Sequence, residues 1–159
     1  MKITILCVGK IKEKFYRDAI EEYKKRLSKY CKLEIVEVAD EKTPENASPI
    51  EEEKIKQKEA ERMEKYLKQG AYTVALAIDG KMLDSVELAN KIDKLGITGT
   101  SHIIFIIGGS LGIADSILSK VDYKLSFSKM TFPHQLMRVV LLEQIYRSYR
   151  IMMGEPYHK

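Results

Sequence analysis

The stretch that decides the fold reads SHIIFIIGGSLG over residues 101–112. It contains five apolar residues in a row, Ile103–Ile107, which is typical of a strand buried on both faces in a parallel sheet. Glycines 108, 109 and 112 follow, and glycines after a strand let a ligand approach the backbone closely. Their spacing is neither the dinucleotide fingerprint nor a P-loop, so NAD and ATP sites are disfavoured. A plain strand-to-helix turn explains these glycines equally well.

Strands and helices alternate outward from this stretch. Apolar, β-rich segments predict five strands, at residues 1–9, 32–38, 72–78, 101–107 and 123–127. Helical periodicity, caps and glycine stops predict helices at residues 12–30, 48–68, 85–95, 113–119 and 133–153. The alternation predicts an α/β fold, a single domain over residues 1–159 with a mostly parallel sheet.

Ligands of such sheets bind beyond the carboxyl ends of the strands. Three loops of the second half of the chain meet that condition, at residues 79–80, 108–112 and 128–132. The charged helix at 48–68, with pairs such as Glu64–Lys68 four residues apart, is expected to be a solvated outer helix.

Composition excludes several classes of protein. The chain has 159 residues, of which 45% are hydrophobic and 31% charged, as in ordinary folded proteins. Its apolar runs are far below the ~20 residues of a membrane span, and the apolar start is too short for a signal peptide. Two cysteines and three histidines without ligand spacing predict neither a disulfide framework nor a metal site. We therefore expect a cytoplasmic protein that uses no metal and no membrane.

Positive charge is concentrated in the last quarter of the chain. The net charge is +4, and residues 123–159 carry six Lys or Arg against two Glu. This distribution weakly favours a phosphate-rich partner.

The loop before the last helix is unusually apolar for a loop. It runs FSKMTFPHQ over residues 127–135, and its Met and Phe side chains are expected to pack or to line a pocket. The helix that follows offers free N–H groups suited to a carboxylate or a phosphate. His134 in its first turn is a candidate site residue, although the residues alone favour a simple local hydrogen bond for it.

The last helix carries two apolar stripes. One consists of Val139, Leu142, Tyr146, Tyr149 and Met153, and the other of Leu141, Ile145 and Met152. One stripe is enough to dock a helix on a sheet, so the second predicts a homodimer formed through this helix. The tail ends in Tyr157, His158 and Lys159, which suit stacking on a base and binding its phosphate. On the residues alone, a frayed and idle tail is the favoured interpretation.

Three motifs in this order resemble a known family. They are IIGGSLG at 106–112, LSFSKMTFPHQLMR at 125–138 and PYHK at 156–159. The chain is similar over its whole length to the small SPOUT-class methyltransferases that modify N(3) of a pseudouridine in large-subunit ribosomal RNA. The resemblance implies a C-terminal trefoil knot, a dimer through the last helix, and S-adenosylmethionine as the cofactor. The implied cofactor contacts are Leu76, Gly108, Phe127, Ser128, Lys129, Met130, Thr131 and Phe132.

The implied substrate is a pseudouridine on the assembled ribosome, and its N(3)–H must lose a proton to accept a methyl group. His158 is the candidate base or orienting group, Tyr157 a stacking or hydrogen-bonding partner, and Arg138 a contact for phosphate or imidate charge. His134 is a secondary candidate. Whether the tail serves its own subunit or the partner's stays open.

The alternatives are a SPOUT enzyme acting on tRNA and a non-catalytic ribosome-associated factor. A nucleotide-dependent regulator is disfavoured because the chain has no phosphate-loop motif.

Overall fold

Five strands and five helices alternate along the chain. The computed structural model describes residues 1–67 and 69–159. The strands are β1 (Lys2–Val8), β2 (Lys32–Val38), β3 (Tyr72–Met82), β4 (His102–Ile107) and β5 (Tyr123–Ser126). The helices are α1 (Lys14–Leu27), α2 (Pro49–Glu64), α3 (Ser85–Ile97), α4 (Asp115–Leu118) and α5 (His134–Met152).

The strands form one sheet in the order β2-β1-β4-β3-β5, and every pairing is parallel. The predicted α/β fold with a mostly parallel sheet is therefore confirmed. The chain passes from β3 to β4 on one side and then crosses to β5 on the other side of β3. Because all carboxyl ends lie at one edge, this reversal places the ends of β4, β3 and β5 next to one another, where such sheets bind ligands.

The two-residue period of the strands sorts their side chains into two cores. Ile3, Ile5 and Phe105 face a core shared with α1, α3 and α5. Leu6 and Ile104 face a smaller core shared with α2 and α4. The central strands β1 and β4 are buried on both faces, as the apolar run at Ile103–Ile107 predicted.

Strand β3 is longer than predicted. It continues past residue 78 to Met82, and its pairing with β5 shifts between Leu76 and Lys81. Residues 79–80 are thus an irregularity within the strand, and the expectation of a loop at its end was wrong. Gly80 fits there because a Cβ atom would lie 2.8 Å from the backbone carbonyl of Lys124.

The helix ends differ in detail from the predictions. The predicted capping box of α2 is present, because the Ser48 side chain accepts the N–H of Glu51. The predicted end of α2 and the pair Glu64–Lys68 involve Lys68, which lies outside the described residues; Glu64 contacts Lys120 at 2.9 Å. Helix α3 continues through Gly96 to Ile97, since a glycine interior to a helix costs less than the packing of the helix provides.

Most residues of both apolar stripes of α5 are buried within the single chain, while Met153 at the end of the first stripe is 61% exposed. Leu141, Leu142 and Ile145 are fully inaccessible, and Tyr146 and Tyr149 are nearly so. Helix α5 packs against α1 on one side and α3 on the other as well as on the sheet. The neighbouring helices therefore account for most of the second stripe, so the two stripes by themselves do not indicate a dimer. No helix within the described ranges is long and apolar enough to cross a bilayer.

Candidate cofactor cleft

A cleft of about 640 Å³ opens where β4, β3 and β5 end. This volume lies within the range of small-molecule and cofactor sites. Its lining combines strand ends, the glycine turn and the apolar loop before α5. The lining residues are Leu76, Ala77, Ile78, Ile107, Gly108, Gly109, Ser110, Leu111, Gly112, Leu125, Phe127, Ser128, Met130, Thr131, Phe132, Pro133, His134 and Met137.

The structure brings most of the predicted cofactor residues together at this cleft. The predicted residues that line it are Leu76, Gly108, Phe127, Ser128, Met130, Thr131 and Phe132. Lys129 is exposed and is not part of the lining. Sequence reasoning missed Ala77, Ile78, Leu125 and Met137, although the ends of adjacent strands were a signal for the first three.

The apolar loop is held in shape by two serines. Ser126 is buried at the end of β5, and its hydroxyl donates to the carbonyl of Ser128 at 3.1 Å. The Ser128 hydroxyl in turn accepts the N–H of Met130 at 3.0 Å. Met130 and Phe132 keep 74% and 38% of their surface exposed. The loop thus presents preformed backbone and apolar side chains to a ligand.

The geometry of the glycine turn requires glycine independently of any ligand. A Cβ on Gly108 would lie 2.6 Å from the carbonyl carbon of Gly112, so the turn itself requires glycine. Gly112 has φ +90°, and its N–H donates to the carbonyl of Gly109 at 3.0 Å. The plain-turn interpretation and the ligand interpretation are thus compatible, because the same compact turn forms a wall of the cleft.

His134 is the histidine at the cleft. It is half-buried in the first turn of α5, and its ring lies near Gly9 and Asp40. Burial lowers the pKa of His134, and the positive charges of Arg138 and Lys12 lower it further, while Asp40 opposes them. The imidazole is therefore neutral near pH 7 and has a free ring nitrogen to accept a proton.

Arg138 is buried one turn further along α5. Its guanidinium contacts Glu37 at 2.6 Å and donates to the carbonyl of Gly9 at 3.2 Å. Its side chain is 2% exposed, so it offers almost no surface to a substrate phosphate. This placement contradicts the expectation of a direct phosphate contact, because the guanidinium ties α5 to the ends of β1 and β2.

Tyr157 and His158 lie far from the cleft of their own chain. The Tyr157 ring packs edge-on against Tyr146 and lies beneath the guanidinium of Arg147, 4.6 Å from the ring centre. His158 Nδ1 lies 3.3 Å from the same guanidinium. At 1.5 Å rise per residue, Arg147 is about 20 Å along α5 from His134. The tail is thus docked rather than frayed, and it does not reach this cleft.

The basic last quarter is largely neutralised internally. Arg147 pairs with Glu143 at 2.9 Å, and Arg150 contacts Glu155, so both acids of that quarter are used. Together with Arg138, these pairs leave Lys124, Lys129 and Lys159 as its cations without an ion pair to a described residue. The excess charge was therefore a weaker signal for RNA than the count suggested.

Among residues 1–67 and 69–159, no three His, Cys, Asp or Glu side chains are grouped so that they could hold a metal ion. The lining of the cleft instead suits an organic ligand with an apolar body. The first turn of α5 has no side-chain cap at Pro133, so its N–H groups are available to a carboxylate.

Comparison with known proteins gives consistent matches over the full length. Residues 1–158 match the family described as "Predicted SPOUT methyltransferase". Proteins named "Ribosomal RNA large subunit methyltransferase H" from Bifidobacterium adolescentis and Clostridium beijerinckii are 66% and 62% identical, each over 100% of both chains. A solved structure of a probable methylase family protein from Haemophilus influenzae covers 99% of this chain and 70% of its own, with a TM-score of 0.57 and 11% identity. At that identity the structural likeness establishes the fold alone.

Proposed function

The chain belongs to the SPOUT methyltransferase family, and from that premise we propose that it methylates N(3) of a pseudouridine in large-subunit ribosomal RNA, with S-adenosylmethionine as methyl donor. Full-length identity of 66% to a protein named as a large-subunit ribosomal RNA methyltransferase supports the RNA class. The observation that carries the cofactor assignment is the cleft at the ends of β4, β3 and β5, with its preformed apolar loop.

The residues present fit that cofactor. The apolar loop at residues 127–132 suits an adenine ring, and Leu76 and Gly108 supply strand-end backbone for hydrogen bonds to its edge. The uncapped first turn of α5 suits the carboxylate of the methionine part. When bound, the cofactor supplies an electrophilic methyl group. The family implies that the segments forming this cleft are threaded as a trefoil knot, which we include in the proposal.

The protein must remove the imide proton and hold the substrate. Transfer forms an N(3)–CH₃ bond, breaks the sulfur–CH₃ bond and releases the N(3) proton. We infer that His134 accepts this proton, since it lies at the cleft and its lowered pKa keeps the imidazole neutral. Holding the two reactants in line supplies much of the remaining acceleration.

The tail is proposed to act in the partner subunit. Its docking about 20 Å from its own His134 prevents it from acting there. The outward line of α5 consists of the partly exposed Leu136, Val140, Glu143 and Arg147. If two copies of α5 pack antiparallel across Glu143, a twofold axis places the tail of one beside the start of the other.

The ends of α5 also support this arrangement. Met153, just after the helix, is 61% exposed, and Phe132, just before it, is 38% exposed. Antiparallel packing would cover both. Tyr157 would then stack on the substrate base and His158 would orient it, completing a cleft that one chain forms only in part.

Recognition of the RNA is assigned largely to the ribosome itself. The chain forms one compact sheet with no separate RNA-binding module in the described ranges. We therefore propose the assembled particle in the cytoplasm as the substrate, with Lys129 at the rim of the cleft available to phosphates.

Transfer of labelled methyl groups tests the proposal. Ribosomes from cells that lack this gene, free ribosomal RNA and bulk tRNA are incubated with the protein and labelled cofactor. We expect label in the large-subunit RNA of whole ribosomes, at N(3) of a pseudouridine after nuclease digestion. Label in tRNA would contradict the substrate assignment, and cofactor binding without any transfer would indicate a ribosome-associated factor.

A further inference from the structure

Glu59 is a buried carboxylate that supports the glycine turn from outside the cleft. It lies on α2, on the opposite side of the sheet from α5, and is 4% exposed. Its two carboxylate oxygens lie 3.1 and 3.3 Å from the position that a Cβ on Gly109 would occupy. Gly109 lines the cleft. One glycine backbone therefore separates a buried carboxylate from the ligand space.

The surroundings of Glu59 hold it in place without a contacting cation. Its Oε2 accepts the backbone N–H of Glu41 at 3.0 Å. Arg62, one turn further along α2, is engaged by Glu41 at 2.6 Å and by the carbonyl of Ala39 at 2.9 Å. Among the described residues, Glu59 forms no ion pair. Its charge thus lies directly behind the glycine turn, and Arg62 is the nearby cation that acts on it.

The pKa of Glu59 follows from the same contacts. Burial raises it above its ordinary value, and the nearby carboxylates of Asp40 and Glu41 also raise it. The N–H of Glu41 and the charge of Arg62 act in the opposite direction. Measurements are therefore made at pH 8, well above the ordinary glutamate pKa of 4.5, where the ionised form is favoured.

We propose that Glu59 sets the preference of the cleft for the cationic cofactor over its neutral thioether product. The inference rests on the proposed function, in which the sulfonium charge disappears when the methyl group leaves. A fixed negative charge behind Gly109 attracts the sulfonium and has much less effect on the thioether, and low surrounding polarity strengthens the difference. Glu59 touches neither ligand, so it is a specificity residue acting through Gly109.

Binding calorimetry at pH 8 tests this inference. The ligands are S-adenosylmethionine, its stable cationic analogue sinefungin, and S-adenosylhomocysteine. We expect Glu59→Gln to raise the Kd of both cations about three- to tenfold relative to that of S-adenosylhomocysteine. Glutamine keeps an acceptor for the Glu41 N–H, so the fold is preserved. Glu59→Asp, which keeps the charge, should retain most of the preference even if all three ligands bind more weakly.

The matched control is Glu61→Gln, which removes an equal charge from an exposed position on the same helix. Its Kd ratios should equal those of the wild type. Equal weakening of all three ligands by Glu59→Gln, with the ratios unchanged, would overturn the inference and leave Glu59 a structural support. Failure of the wild type to bind any of the three would instead overturn the proposed function.

Discussion

His134 is the residue for which the structure gives the most specific chemical prediction. Burial and two neighbouring cations lower its pKa below the ordinary value of 6.5. A base must be unprotonated, so its active form is present above that lowered pKa and is lost as the pH falls through it. The acid limb of kcat/KM should therefore lie below pH 6.5, with a slope of about one log unit per pH unit.

Replacement of His134 tests the same role. We expect His134→Gln to lower kcat about a hundredfold or more, because general bases contribute about 10²–10⁴-fold, while the Kd of S-adenosylhomocysteine changes little. Steady-state kinetics and calorimetry on one preparation separate the two effects. A variant that keeps near-wild-type kcat, or an acid limb that persists unchanged in it, would exclude His134 as the base.

Arg138 is expected to act on stability. Arg138→Met leaves Glu37 and the carbonyl of Gly9 without their partner. The loss should be roughly 2–3 kcal/mol, less than for a fully buried pair, since the Glu37 side chain is 36% exposed. Urea unfolding measures it. Lys14→Met, which breaks an exposed pair with Asp18, is the control and should change stability by less than about 1 kcal/mol.

Arg138 and Glu59 also show which features could not be predicted from the sequence. Arg138 looked like a phosphate contact because its partner Glu37 is 101 residues away along the chain. Glu59 looked like one more solvated charge in α2, and its burial depends on the distant glycine turn. Composition and spacing carry no information on such pairings. The position of the apolar loop at 127–132 along a pocket was predictable, because its Met and Phe side chains are unusual in an exposed loop.

At the scale of elements, replacing glycines 80 and 96 by alanine should change the stability of the protein in opposite directions. A Cβ on Gly80 would lie 2.8 Å from backbone atoms of β5, which cannot yield as a side chain does. We expect Gly80→Ala to destabilise the protein by about 1–3 kcal/mol. Gly96 lies inside α3 with only ordinary contact at 3.7 Å, so Gly96→Ala should stabilise it by about 0.5–1 kcal/mol. Thermal unfolding compares the two, and a shift of the same sign in both would contradict this view of β3 and β5.

The elements themselves were largely predictable, whereas their ends and surroundings were less so. Strand β2 and the cap of α2 were predicted correctly because apolar alternation and capping residues act locally. The extension of β3 through residues 79–80 depends on pairing with β5, and the burial of both α5 stripes depends on α1 and α3. Tertiary contacts of this kind determine where a strand ends and whether an apolar stripe is buried.

For the whole molecule, the separation of tail and cleft predicts that two subunits share each active site. The variants Tyr157→Ala/His158→Ala and Ala77→Trp should each be inactive as homodimers, the first for lack of a tail and the second because the cleft is filled. Co-expression with two affinity tags isolates the heterodimer. In the heterodimer, one of the two sites combines an intact cleft with the partner's intact tail. It should therefore recover about half of the wild-type activity per dimer.

The outcomes of that experiment distinguish the arrangements of the molecule. If the tail served its own cleft, each protomer of the heterodimer would lack one component, and the heterodimer would be as inactive as its parents. If the tail played no part, the Tyr157→Ala/His158→Ala homodimer would already be active. If α5 did not pair across its partly exposed face, tandem purification would yield no heterodimer. Recovery of activity would require a dimer in which the tail of one subunit reaches the cleft of the other, because Arg147, on which the tail docks, is about 20 Å along α5 from His134 of its own chain.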